Sequence, residues 1–166
     1  MNIFNIFSKK NNVPRSIWRS PLEFIACGFG IGAIPWVPGT FGTLVGVILY
    51  LLLSRLSLLI YCVVTLFLFI LGVIISDITN QRFNTSDHSA VVWDEIVGFL
   101  IVMIAIPKTG YFILAGFFLF RIFDIWKPWP IQLLEKNLKG GLGVMIDDVI
   151  AALYTWIVLM IRVYFA

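Results

Sequence analysis

Leu56-Ser57-Leu58-Leu59-Ile60-Tyr61-Cys62-Val63-Val64-Thr65-Leu66-Phe67-Leu68-Phe69-Ile70-Leu71-Gly72-Val73-Ile74-Ile75 is a run of twenty residues without a charge. A helix rises about 1.5 Å per residue, so such a run spans the roughly 30 Å hydrocarbon core of a bilayer. The composition agrees. Hydrophobic residues make up 60% of the 166-residue chain and charged ones 13%, with a mean hydropathy of +0.99. Soluble domains carry about a quarter charged residues, so this chain lacks the polar surface that water requires. Further apolar runs cover residues 41–53, 96–106, 110–120 and 149–161. Each is long enough to cross only if its polar end lies in the interface or in a protein-lined cavity. Residues 22–34 are interrupted by Gly28, Gly30 and Gly32 and read as an interfacial or re-entrant segment. The expected fold is all-α: a multi-pass membrane helical bundle of four to five spans.

Charge gives the orientation. With five spans, the N-terminus and the stretches 76–92 and 126–144 fall on one side. That side holds Lys9, Lys10, Arg15, Arg19, Arg82, Arg121, Lys127, Lys136 and Lys139; the other holds Arg55, Lys108 and Arg162. An excess of Lys and Arg marks the cytoplasmic face. The acids take no part in that argument. Yet Glu23, Asp77, Asp87, Asp94, Glu95, Asp124, Glu135, Asp147 and Asp148 all land on the same side, which suggests a working face. The net charge of +3 is scattered, which suits an anionic membrane surface and not nucleic acid. Residues 1–20 read as a basic cytoplasmic segment without the apolar stretch of a cleavable signal, and residues 21–166 as a single membrane domain. Cys27 and Cys62 form no CxxC pair and read as free thiols.

Three clusters carry the chemistry. The first, Asp87-His88-Ser89-Ala90-Val91-Val92-Trp93-Asp94-Glu95, ends with two acids that open an apolar helix. The helix dipole alone accommodates acids there, but metal ligation is the functional alternative. In the second, Phe120-Arg121-Ile122-Phe123-Asp124-Ile125-Trp126-Lys127, the three charges at i,i+3 spacing share one helix face. They read as an interfacial anchor, or as Arg121 and Lys127 gripping phosphate beside a metal-binding Asp124. The third, Gly140-Gly141-Leu142-Gly143-Val144-Met145-Ile146-Asp147-Asp148, leads glycines into a helix bearing two acids. Gly141 is a candidate for cradling phosphate with its N–H, and two acids in a membrane helix demand partners. A further stretch, Pro38-Gly39-Thr40-Phe41-Gly42-Thr43, offers Thr40 and backbone amides. His88, the one histidine, reads as a loop residue. With so few Cys and His a zinc site is excluded, and hard carboxylate oxygens suit Mg²⁺ shared with a phosphate. The candidate metal ligands are Asp94, Glu95, Asp124, Asp147 and Asp148, with Asp87 as an additional candidate. Asp94, Glu95, Asp124 and Asp148 are the candidate catalytic residues, and Arg121, Lys127, Thr40 and Gly141 the candidate phosphate-binding ones.

These segments, from about Pro21 to about Tyr154, resemble the signature stretches of the phosphatidylglycerophosphatase A family. The resemblance implies a Mg²⁺-dependent enzyme of the bacterial inner membrane, facing the cytoplasm. Such an enzyme hydrolyses phosphatidylglycerophosphate to phosphatidylglycerol and phosphate. The residues alone reach only phosphate chemistry at one membrane face. They leave open a phosphatase of another lipid phosphate, or a small divalent-cation transporter. They also leave open whether water or an aspartate attacks phosphorus. Acids near span ends favour the enzyme over the transporter.

Overall fold

In the computed structural model, which describes residues 14–131, 134, 138 and 140–165, every regular element is helical. The helices are α1 (Pro21–Ala26), α2 (Pro38–Leu53), α3 (Leu58–Arg82), α4 (Trp93–Val102), α5 (Gly110–Trp126) and α6 (Gly140–Tyr164). Short 3-10 turns at Arg15–Trp18 and Ile31–Ala33 flank α1. Lys9, Lys10, Glu135, Lys136 and Lys139, which enter the charge argument, lie outside the described residues.

The uncharged run becomes the body of α3, which continues through Ser76 and Asp77 to Arg82. At 25 residues each, α3 and α6 are about 37 Å long. Among the described residues they are the two helices long and apolar enough to cross a bilayer, while α2 is apolar but shorter. The apolar run over residues 96–106 is helical only as far as Val102: α4 has 10 residues and is about 15 Å long, half of the hydrocarbon core. Ala105 turns into the left-handed region at φ 59° and Pro107 follows, so the helix cannot continue.

A helix that stops inside an apolar bundle exposes carbonyl groups, each costly without a partner. Here the neighbours supply donors. The Tyr61 hydroxyl of α3 donates to the Leu100 carbonyl at 2.7 Å, and the Trp156 indole of α6 donates to Ile104 at 2.8 Å. Around them Tyr50, Phe99, Leu100, Phe120 and Leu159 form the main buried cluster. A second cluster, around Trp93, Ile96 and Met145, seats α4 against α3 and α6.

Two ends result. At one, Lys108 Nζ donates to the Ser54 carbonyl, bringing the α2–α3 and α4–α5 connectors together. At the other, the first turns of α2 and α4, the last turns of α5 and the third turn of α6 converge. Next to that end, α1 is tied to the end of α3 by buried Glu23, whose Oε1 lies 3.1 Å from Arg82 Nη1.

Candidate active site

The convergent end encloses a cavity of about 390 Å³. Its walls are Val37 to Thr40 from the start of α2, Asp87, Ser89 and Val91 from the α3–α4 loop, and Asp94 and Glu95 from α4. Arg121, Asp124, Ile125 and Lys127 come from the end of α5, and Val144, Asp147 and Asp148 from α6. Every candidate residue from the sequence therefore lines one space, except Gly141. The glycine reading is corrected. The helix begins at Gly140 itself, so Asp147 and Asp148 lie two turns in. The Gly141 N–H is already held by Asp77 Oδ1 at 3.0 Å, and Gly141 borders a separate groove with Val73, Asp77 and Leu142. A methyl group there would collide with the Val73 carbonyl oxygen. Gly141 thus lets α6 approach the α3 backbone, which fixes where the two acids stand.

The structure divides the five acids into two kinds. Asp124 and Asp147 hold the cations: Arg121 Nη1 lies 2.5 Å from Asp124 Oδ2, and Lys127 Nζ lies 3.2 Å from Asp147 Oδ2. The Arg121 pair is an i,i+3 contact on α5, which orients the guanidinium within the cavity. Asp94, Glu95 and Asp148 instead face one another. One carboxylate oxygen from each lies within 4.8 Å of the others. Asp94 Oδ1, Glu95 Oε2 and Asp148 Oδ2 are buried without a hydrogen-bond partner. Arg121 Nη1 stands beside this trio, 3.9 Å from Glu95 Oε1. Buried carboxylates held together without donors repel one another strongly. That donor set, three hard oxygens in a closed corner, fits a small divalent cation completed by phosphate or water oxygens.

Arg121 offers a further unsatisfied atom, since its Nε is buried without a partner. An oxyanion seated between the acid trio and Arg121 would meet that donor. The first turn of α2 forms the adjoining wall. A Cβ on Gly39 would collide with Glu95 Oε1 and approach Arg121 at 3.0 Å, so a side chain here would push the Glu95 carboxylate out of this arrangement. The sequence stretch containing Gly39 pointed to the wall, but its signal was attached to Thr40.

A family model for phosphatidylglycerophosphatase A matches residues 24–163. The chain belongs to this family. A phosphatidylglycerophosphatase A of Haemophilus influenzae is 45% identical over 153 residues, covering 91% of this chain and 94% of that protein. One of Escherichia coli is 39% identical over 133 residues, covering 80% and 77%. A putative phosphatidylinositol-3-phosphatase of Bacteroides thetaiotaomicron is 40% identical over 144 residues, covering 82% and 90%. No solved structure matches the chain. As a member of the phosphatidylglycerophosphatase A family the protein is a phosphatase, and the enzyme reading stands over the transporter.

Two residues outside the cavity shape it. His88 does not line it. Its Nδ1 accepts from Ala90 N at 3.1 Å and its own N–H donates to Asn80 Oδ1 at 3.0 Å, so it folds the loop that carries Asp87 and Ser89. Burial lowers the His88 pKa, opposed by Asp87, and favours a neutral ring for that acceptor role. Asp77 was left without a role by its sequence context. It anchors the start of α6, and nothing local in the sequence announces a partner 64 residues away. Cys27 and Cys62 are free thiols.

Proposed function

We propose that this protein hydrolyses the terminal phosphate of phosphatidylglycerophosphate to give phosphatidylglycerol, with Mg²⁺ held by Asp94, Glu95 and Asp148, at the cytoplasmic face of the bacterial inner membrane. The observation that carries the reading is the trio of converging carboxylates beside Arg121, each with one buried oxygen that has no hydrogen-bond partner. Mg²⁺ bound there supplies Lewis acidity and offsets the charge of three carboxylates and a phosphate. The protein's own groups do the rest. Arg121, aligned by Asp124, binds the non-bridging phosphate oxygens and stabilises charge that builds during transfer. Lys127, held by Asp147, adds a second cation at the α5 end. Water attacks phosphorus in line, the bond to the lipid oxygen breaks, and the lipid leaves as an alcohol. The bundle crosses the membrane several times, with α4 and its following turns completing one crossing together, and the segment containing α1 at the interface.

Phosphate release by the purified protein tests the reading. Phosphatidylglycerophosphate with Mg²⁺ should give turnover, and EDTA or Asp94→Asn should abolish it. The Bacteroides relative justifies a parallel arm with phosphatidylinositol 3-phosphate. Turnover of that lipid alone would overturn the substrate assignment, and full activity in EDTA would overturn the metal. Labelling in H₂¹⁸O should place the isotope in phosphate within a single turnover; isotope in an aspartate would replace water with an acyl-phosphate route. A cysteine at Asn84, in the α3–α4 loop, should resist an impermeant thiol reagent applied to intact spheroplasts.

A further inference from the structure

At the end opposite the acid cluster lies a second cavity, of about 330 Å³, between the α2–α3 and α4–α5 connectors. Its walls are mostly apolar, with Leu56, Met103 and Ile106 among them. Three features set it apart from a packing gap. Tyr50 lines it, is only 2% exposed, and its hydroxyl has no hydrogen-bond partner. A buried hydroxyl without a partner is costly, so the position suits an acceptor from outside the chain. Ala105, on the rim, holds a left-handed backbone at φ 59° that a β-carbon disfavours. The connectors at the mouth carry exposed Lys108 and Arg55, and no acid occurs in residues 24–76 or 96–123.

We propose that this cavity binds one anionic phospholipid. The apolar walls take an acyl chain, the Tyr50 hydroxyl donates to an ester carbonyl, and Lys108 and Arg55 flank the phosphate. This chemistry excludes free phosphate, which has nothing to place against the walls. It also favours an anionic headgroup, because a cation pair unopposed by any acid raises the local concentration of anionic lipid. The site is separate from the phosphatase centre and does not rest on the assignment of that centre.

Photo-crosslinking of the full-length protein in phosphatidylcholine nanodiscs tests it. A trace of phosphatidylglycerol with a diazirine-bearing acyl chain is compared with the matching phosphatidylcholine probe, and crosslinked peptides are mapped. Phosphatidylglycerol should label residues 50–58 and 103–108 at least about fivefold more than phosphatidylcholine. Lys108→Gln with Arg55→Gln should bring that ratio towards one while phosphatase activity persists. Equal labelling by the two probes in the wild-type protein, or a ratio unchanged in the double variant, would overturn the proposal. The wild-type comparison decides the matter even if the variant folds poorly.

Discussion

α3 and α6 have the same length of 25 residues, and they use it in opposite ways. α3 leaves a broad apolar face exposed that includes Leu59, Val63, Leu66, Phe67 and Ile70, and buries a narrow stripe of Tyr61, Thr65, Gly72 and Ser76. α6 buries more of itself, including Gly141, Asp147, Asp148, Ala151 and Ala152. An uncharged run thus marks the outer face of the bundle. Acids in an otherwise apolar helix locate the protein, because carboxylates in hydrocarbon need partners that only neighbouring helices provide.

The comparison breaks most visibly at Asp148. Asp148→Asn keeps the shape but removes one member of the trio, and kcat/KM should fall by about a hundredfold or more with folding retained. Activity equal to wild type would take Asp148 out of the site. Next comes the contact between the two helices. Gly141→Ala sets a methyl against the Val73 carbonyl, and the overpacking should cost about 1–3 kcal/mol, read as a lower midpoint of thermal unfolding in detergent. An unaltered midpoint would mean that α6 is free to shift. Arg121→Lys keeps a cation but loses the fork that meets both Asp124 and phosphate, so kcat/KM should drop about 10–100-fold. The exposed side of α3 should be the most tolerant. Phe67→Leu, on an exposed position, should change stability by less than about 0.5 kcal/mol and leave activity intact. A large loss there would show that α3 has a protein partner on that face.

The charged clusters are legible because each sits at a fixed helical spacing: Arg121, Asp124 and Lys127 share a face by arithmetic alone. Their convergence is foreshadowed by the one-sided placement of the acids. What the sequence hides is pairing across helices. The i,i+3 spacing offers Arg121 to Asp124, but nothing near Asp147 says that it holds Lys127 while Asp94, Glu95 and Asp148 face one another, since that depends on how α4, α5 and α6 rotate. Gly140 and Gly141 mislead for a related reason. A glycine string looks the same whether it cradles an anion or admits a neighbouring backbone, and here the backbone of α3 is the neighbour. The length of α4 is lost in an apolar run whose last residues are turns, not helix.

The early stop of α4 has a consequence for biogenesis. Its Leu100 carbonyl is covered from α3, made earlier, but the Ile104 carbonyl in the turn that follows is covered by Trp156, synthesised some fifty residues later. In the membrane setting proposed above, a chain emerging from the ribosome reaches the bilayer with this short helix incompletely sheltered until the last helix arrives. Insertion has to be collective at that point and not one span at a time. A chain truncated before Gly140 should be cleared by membrane proteases far faster than the full-length protein, and Trp156→Phe, which keeps the ring but not the donor, should fall between the two in a pulse-chase measurement.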